Sequence, residues 1–162
     1  MKTIYLAGGC FWCIEYFFIS LRGVISVTTG YSGGKEKDVT YEMVKNQLTG
    51  HRETIKVEYD ENIISLEDIL EEYFLHIDPL DKDGQFIDRG HSYTLAVYYE
   101  NEQDYGVILH KCKDLSRRLN KKIYISIEPF LFFIKAEDYH QGYCFRHKVE
   151  FEIEMEKSGR KK

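Results

Sequence analysis

The sequence predicts an α+β fold, a single-domain two-layer sandwich in which a mixed β-sheet has helices packed against it. Segments with strand and helix periodicity follow one another in a mixed order, with several strands between the helices. The 162 residues include only 2 prolines and 12 glycines, without a repeat or a linker-like segment, which suits one domain. A hydrophobic fraction of 43% is enough for that domain to bury a core.

The first part of the chain predicts three strands and one helix, with strands at residues 3–7, 24–31 and 52–59 and the helix at 10–21. The first strand ends at a pair of glycines, and Ile14, Phe18 and Leu21 then recur at helical spacing. The third strand alternates strongly between apolar and polar residues. We expect Tyr41 to lie in the loop before it.

The second part predicts two capped helices, two strands and a loop. Ser65 with an acid three residues later resembles a helix N-cap, and Asn101 caps the next helix. The predicted elements are a helix at 66–76, a long ordered loop at 80–90, a strand at 92–99, a helix reaching residue 120, a strand at 123–128 and a short helix at 137–145. Residues 149–155 alternate weakly, which predicts an edge strand.

Composition limits the classes of partner. The formal net charge of −5 does not favour a nucleic-acid binder, and no run of about 18 apolar residues predicts a membrane span. The apolar stretch at the N-terminus is too short for a secretion signal, so we expect a cytoplasmic protein. We expect residues 1–150 to form the domain and 151–162 a charged C-terminal tail, whose basic end at 157–162 is solvated.

The strongest chemical signal is the segment that joins the first strand to the first helix. Cys10 follows two glycines where a helix should begin, and free amides with the positive end of the helix dipole favour a thiolate there. Phe11 and Trp12 follow Cys10 in the sequence, and their rings are suited to line a small apolar pocket beside its sulfur. Cys10 and Cys13 form a Cys-x-x-Cys pair, whose spacing suits a dithiol/disulfide couple and also half of a zinc site.

The position of Glu53 indicates a buried acid. In the strand at 52–59, Glu53 has the same parity as Ile55, Val57 and Tyr59, so the pattern puts its carboxyl on the apolar side. Burial there would raise the pKa of the carboxyl and keep it protonated near neutral pH.

Six segments in order resemble the signatures of the A-type peptide methionine sulfoxide reductases. They are Gly-Cys-Phe-Trp at 9–12, Gly-Tyr-Ser-Gly-Gly at 30–34, Thr-Tyr-Glu-Met-Val at 40–44, Thr-Gly-His-Arg-Glu at 49–53, Asp-Arg-Gly-His-Ser-Tyr at 88–93 and Ala-Glu-Asp-Tyr-His-Gln-Gly-Tyr at 136–143. The resemblance covers roughly residues 3 to 145. It implies a ferredoxin-like core and reduction of methionine S-sulfoxide, free or in proteins, to methionine.

The resemblance also implies a role for each residue of the site. The sulfur of Cys10 attacks the sulfoxide and becomes a sulfenic acid, while Glu53 delivers a proton with the help of Tyr41 and Tyr93. Asp88 also belongs to the catalytic site. The substrate methyl group packs against Phe11 and Trp12. Cys13, or alternatively Cys144, condenses with the sulfenic acid to a disulfide, and thioredoxin or a similar dithiol restores the enzyme. No metal or organic cofactor is required.

Two other functions share part of this pattern. A general thiol-disulfide oxidoreductase would use the Cys-x-x-Cys pair but leave Glu53 and the tyrosines unexplained. A zinc module would need that pair and two of Cys112, Cys144, His140 and His147. Cys112 lies on one apolar stripe of its predicted helix, which indicates a core residue. For His140, a base and a structural hydrogen-bonding role both remain open.

Overall fold

The computed structural model describes residues 1–160 and confirms the α+β prediction. The strands are β1 (Lys2–Gly8), β2 (Val24–Ser32), β3 (Arg52–Tyr59), β4 (Gly84–Gln85), β5 (Asp88–Arg89), β6 (Leu95–Tyr99), β7 (Ile125–Pro129) and β8 (Phe133–Lys135). The α-helices are α1 (Phe11–Ile19), α2 (Tyr41–Lys45), α3 (Leu66–Leu75), α4 (Glu102–Leu119), α5 (Tyr143–Arg146) and α6 (Lys148–Ser158). Short 3-10 helices span His91–Tyr93 and Asp138–His140.

The larger sheet has six strands in the order β7-β6-β1-β3-β2-β8. All neighbouring pairs are antiparallel except β6 and β7, which are parallel, so the sheet is mixed. With α1 and α3, the strands β1, β2, β3 and β6 have the connectivity β-α-β-β-α-β of ferredoxin-like domains. None of the helices in residues 1–160 combines the length and apolar character of a membrane span.

The two faces of the sheet are packed differently. On one face, Leu6, Ile55 and Val57 are fully buried in a large core with side chains of α1, α3 and α4. Because side chains alternate along a strand, Tyr5 points to the opposite face, where its ring stacks on Phe130 with centroids 4.0 Å apart. The helices therefore form one layer and the sheet the other.

The predicted caps form as expected. The Ser65 side chain accepts a hydrogen bond from the Asp68 amide at the start of α3, and Asn101 accepts from the Asp104 amide at the start of α4. Each cap satisfies one of the backbone donors that a helix N-terminus leaves free. α4 ends at Asn120, whose φ of +51° stops the helix.

Four predicted segments differ from the structure. Tyr41 begins the short helix α2 instead of lying in a loop, because Thr40 caps the amide of Met43. The predicted loop at 80–90 contains the hairpin of β4 and β5, and the predicted strand at 92–99 begins only after a 3-10 helix. The predicted helix at 137–145 divides into a 3-10 helix and α5. The edge strand β8, which pairs with β2, was not predicted.

The edge strand predicted at 149–155 is wrong, because these residues lie in the helix α6. Phe151 and Met155, one helical turn apart, are buried against Cys13 and Cys144. The expectation that the basic end is fully solvated is also wrong, since Arg160 is only 6% exposed. α6 crosses the domain boundary expected at residue 150, which itself stays a prediction, and the last two residues of the expected tail lie outside the described residues.

Candidate active site

The predicted nucleophile lies at the turn between β1 and α1. Gly9 has a φ of +88°, which favours glycine, and a Cβ there would lie 2.6 Å from Nη2 of Arg160 and 2.7 Å from Cβ of Gln85. The turn therefore needs glycine for its conformation and for its space. It places Cys10 at the N-cap position of α1, with the side chain partly exposed.

The surroundings of Cys10 differ from those that the sequence predicted. Within residues 1–160 no backbone N–H caps its side chain, since the Phe11 amide donates to Glu53 instead. The pKa of the Cys10 thiol is held well above its usual value by a hydrogen bond with Cys13, by burial, and by the Glu53 and Asp88 carboxyls. The free protein thus lacks the backbone cap that the sequence predicted for a Cys10 thiolate, and the groups around the sulfur favour its thiol form.

Glu53 faces the core, as the alternation of β3 predicted. Its side chain is 2% exposed, and Oε1 accepts a hydrogen bond of 3.1 Å from the Phe11 amide. Oε2 is buried without a partner among residues 1–160. Burial raises the pKa of Glu53 to about 8, and the nearby Asp88 also raises it. At neutral pH the group is therefore mostly a carboxylic acid with a proton to donate.

Tyr41, Tyr93 and Asp88 lie close enough to Glu53 to interact with it electrostatically. Burial, with the Glu53 carboxyl as the next cause, holds the pKa of Tyr41 and Tyr93 above the usual value, so both hydroxyls remain donors. Neither hydroxyl donates to a protein group within the described part of the chain. Burial also raises the pKa of Asp88, against the opposing effect of Arg160. The structure thus brings the predicted catalytic residues to one place.

Aromatic rings line one side of this place. The Trp12 ring stacks on Tyr143 with centroids 4.0 Å apart, and the Tyr41 ring lies 6.2 Å from Phe11. The Trp12 indole N–H donates a 2.9 Å hydrogen bond to Nδ1 of His140. Burial lowers the pKa of His140, so its imidazole is neutral and its observed role is to hold Trp12.

The remaining cysteines divide between the site and the core. Cys13, 1% exposed, contacts Cys10 through a sulfur hydrogen bond, and that bond is the main reason why the pKa of Cys13 is lowered. Cys144 lies in the same small cluster as Cys13. Cys112 lies in the main core under α4, as its helical stripe predicted. Burial raises the pKa of Cys112 and of Cys144 to about 11.

Sequence reasoning missed three polar residues around the site. Glu15, fully buried in α1, accepts a 2.9 Å hydrogen bond from the Gly142 amide, and burial raises its pKa to about 7. Glu137 accepts from the Tyr31 hydroxyl and from the Tyr41 amide. Arg160 donates to the Gly8 carbonyl. A lone acid within the apolar helix α1 was a usable signal for Glu15, whereas nothing in the sequence pattern singled out Arg160.

The ligand set that a zinc module needs is not assembled. In the stretch from residue 1 to residue 160, no three His, Cys, Asp or Glu side chains are grouped so that they could hold a metal ion. The Cys-x-x-Cys pair shares its cluster with Cys144, Phe151 and Met155, whereas Cys112, another of the four candidate ligands, lies in the main core.

Known proteins share the sequence and the fold. A model of the peptide methionine sulfoxide reductase family matches residues 2–162. The chain is 40% identical over 158 residues, 96% of its own length and 89% of the relative's, to peptide methionine sulfoxide reductase MsrA 2 of Staphylococcus aureus strain MW2. It is 44% identical over 144 residues, 88% of its length and 81% of the relative's, to peptide methionine sulfoxide reductase MsrA of Picrophilus torridus.

Among solved structures, reduced Mxr1 of Saccharomyces cerevisiae superposes with a TM-score of 0.87 at 27% identity, covering 91% of this chain and 86% of the yeast chain. The family model, the relatives and the fold agree with the resemblance that the six ordered motifs carry. The chain therefore belongs to the peptide methionine sulfoxide reductase family.

Proposed function

We propose that this protein reduces methionine S-sulfoxide, free or in oxidised proteins, to methionine with Cys10 as the nucleophile. The observation that carries the proposal is the meeting of a partly exposed thiol and a buried, protonated carboxyl at the start of α1. Sulfoxide reduction needs both, because the oxygen must accept a proton as a nucleophile attacks the sulfur. The family membership supports this reaction. The S preference rests on the resemblance to A-type enzymes alone.

The substrate enters with its methyl group against Phe11 and Trp12. Glu53 protonates the sulfoxide oxygen, and the Tyr41 and Tyr93 hydroxyls donate hydrogen bonds to it. As the Cys10 sulfur attacks, its proton passes to Glu53, so the acid is restored. The hydroxyl then leaves the substrate sulfur and bonds to the Cys10 sulfur as the transient bond between the two sulfurs breaks. The substrate sulfur is reduced and leaves as methionine, and Cys10 is oxidised to a sulfenic acid. Asp88, close to Cys10 and Glu53, helps to keep Glu53 protonated.

Recycling uses a second thiol. Cys13 attacks the sulfenic acid, the Cys10–Cys13 disulfide forms, and the hydroxide that leaves takes a proton from solvent. Cys144 is the alternate partner, since it belongs to the same cluster. A dithiol protein such as thioredoxin then reduces the disulfide. Yeast Mxr1 has been solved in complex with Trx2, which motivates a reductant of this type. The cytoplasm is the compartment that we propose, because such dithiol recycling suits its reducing conditions.

The general disulfide oxidoreductase is the second candidate, favoured only by the contact between Cys10 and Cys13. It gives no use to the buried carboxyl that the same helix start holds. The reductase uses both features.

The first experiment is a single turnover of racemic methionine sulfoxide without reductant, with methionine and free thiols counted together. We expect wild type to form methionine from one enantiomer and to lose two thiols per chain. Cys10→Ser forms no methionine and loses no thiol, because the nucleophile is absent. Cys13→Ser still forms methionine, but its oxidised Cys10 lacks the neighbouring thiol.

Cys112→Ser is the matched control, because that thiol is equally buried but lies in the main core. It should behave as wild type. Cys144→Ser separates the two resolving candidates, since it loses two thiols only when Cys13 is the partner. A wild type that exchanges disulfides but forms no methionine overturns the reductase and leaves the second candidate.

A further inference from the structure

The C-terminal end of α6 inserts a cation behind the catalytic turn. Gly159 ends the helix with a φ of +78°, and the Arg160 amide then donates to the Ser158 hydroxyl. This turn directs the Arg160 side chain into the protein, where it is only 6% exposed. α6 itself is anchored by Phe151 and Met155, which pack against Cys13.

The guanidinium of Arg160 is bound by neutral groups. Nη1 donates to the His76 carbonyl at 2.5 Å, and Nη2 donates to the Gly8 carbonyl at 2.8 Å. The group lies over the Phe86 ring, 4.7 Å from its centroid, and Nε is buried without a partner among residues 1–160. No carboxylate in that range forms a salt bridge with it. Its charge therefore meets carboxyls of that range, such as Asp88, only beyond salt-bridge distance, and charge acts strongly across a poorly solvated interior.

That charge lies beside the Cys-x-x-Cys turn. A Cβ on Gly9 would come within 2.6 Å of Nη2, so the guanidinium lies against the residue that precedes Cys10. The pKa of Cys13 is lowered, first by the hydrogen bond from Cys10 and then by Arg160. Burial and the carboxylates of Asp88 and Glu154 oppose this.

Two more titratable groups face Cys13. They are the Glu53 acid, whose pKa the Cys13 thiolate helps to raise, and the Cys144 thiol. When either group is ionised, its negative charge favours the neutral thiol form of Cys13. Among the charged side chains that face the Cys13 sulfur, Arg160 is thus the cation that favours its thiolate.

We propose that Arg160 is a positioning residue of the recycling half-reaction, whose guanidinium holds the Cys13 sulfur as the thiolate that attacks oxidised Cys10. The inference rests on the proposed role of Cys13 as the resolving thiol. In this step the S–S bond forms and the S–O bond of Cys10 breaks. The Cys13 sulfur is oxidised, the Cys10 sulfur is reduced, and the hydroxide leaves as water with a proton from solvent.

A thiolate titration tests the charge without any turnover. Ultraviolet absorbance of Cys10→Ser reports Cys13, because the pKa of Cys112 and that of Cys144 lie at about 11. In the Cys10→Ser background, Arg160→Gln should raise the midpoint of the Cys13 titration by about one pH unit. At pH values below the midpoint, the thiolate fraction should then be roughly tenfold smaller. Adding Arg160→Lys, which keeps the charge, should restore most of the shift. Lys157→Gln, the same change of charge at an exposed position of α6, should leave the midpoint unchanged.

The kinetic test follows disulfide formation in a single turnover. In Arg160→Gln we expect the first methionine to form at the wild-type rate, while the disulfide forms about tenfold more slowly near neutral pH and at the wild-type rate at high pH. Circular dichroism establishes that each variant is folded. An unchanged midpoint, an equal shift in Arg160→Lys, or a slower disulfide at every pH would assign Arg160 a packing role and overturn the proposal. Failure of the proposed function is distinct, since wild type would then form no methionine.

Discussion

Two carboxyls at α1 are alike in being buried and in accepting a hydrogen bond from a backbone amide, but they lie among different functional groups. Glu53 binds the first amide of the helix, and Glu15, on the helix itself, binds the Gly142 amide. Each has one buried oxygen without a partner in residues 1–160. Burial raises the pKa of Glu53 to about 8 and that of Glu15 to about 7.

The difference lies in what each acid can reach. Glu53 lies near Cys10 and two tyrosine hydroxyls, whereas Glu15 meets the backbone that leads into α5. A raised pKa alone therefore does not identify a catalytic acid. It does so when a nucleophile and donors face the same space. On this basis we propose Glu53, and not Glu15, as the acid of the reaction, while Glu15 connects α1 to the C-terminal part of the chain.

Replacing each acid by its amide separates the two roles, with the largest effect at Glu53. Glu53→Gln should lower kcat/KM for methionine formation by about 10² to 10⁴, because the amide has no proton to give to the sulfoxide oxygen. Glu15→Gln should remain near wild type. Steady-state reduction of a sulfoxide peptide measures both, and equal losses in the two variants would break the distinction.

Stability should depend on pH through Glu15 as well as through Glu53, because burial raises the pKa of both acids. The folded-state pKa of Glu15, about 7, lies above the value of the unfolded chain. Its contribution is therefore complete below the unfolded pKa and is lost as pH rises through about 7. Through this group, the free energy of unfolding of wild type should fall by on the order of 3 kcal/mol between acidic and alkaline pH. Glu15→Gln should lack this decrease, because the amide does not titrate. Urea unfolding at both ends of that range, with exposed Glu156→Gln as control, decides it.

The pH profile of methionine formation should follow Glu53. The acid is protonated below its pKa of about 8, so the rate should be flat there and fall about tenfold per pH unit above it. Glu15→Gln should leave this profile in place. A rate that instead rises through the same range in rapid-quench experiments would mean that ionisation of Cys10 limits the step.

The smallest effects are expected at the tyrosines near Glu53. Tyr41→Phe and Tyr93→Phe each remove one hydrogen bond to the sulfoxide oxygen, worth about 1 kcal/mol or up to roughly tenfold in rate. Tyr16→Phe on α1, whose ring packs against Phe151, is the matched control without a role in turnover. Single-turnover rates of the three variants compare them, and a loss at Tyr16 equal to the others would assign the effect to packing.

Local rules in the sequence were sufficient for much of the fold. Ser65 and Asn101 indicated where α3 and α4 begin, because a helix cap is a contact between residues within four positions of each other. The alternation of β3 correctly placed Glu53 on the buried side of the sheet. The same local rules failed at α6, where an apolar residue at every second position suggested a strand. The helix forms because Phe151 and Met155 fill the cluster around Cys13, while Val149 and Ile153 stay exposed.

The site divides in the same way. The sequence singled out Cys10 and Glu53, because a cysteine at a helix start and an acid on the apolar side of a strand can both be recognised from residue type and spacing. The raised pKa of Cys10 was not predictable, since it depends on how the fold buries the sulfur and sets it against Cys13 and Glu53. Arg160 was equally out of reach, because its hydrogen bond to Gly8 joins positions 152 apart.

Segments far apart in the sequence meet around Cys10. Trp12 is held by His140, Glu15 by Gly142, and the Gly8 carbonyl by Arg160. During synthesis the Cys10 motif is made before His140, Gly142 and Arg160, which complete its surroundings. A nascent chain therefore carries the nucleophile long before it has the enclosure that controls it. Full reductase activity is therefore expected only once α6 and Arg160 have been made, and a chain truncated before α6 should carry the Cys10 thiol without the groups that surround it.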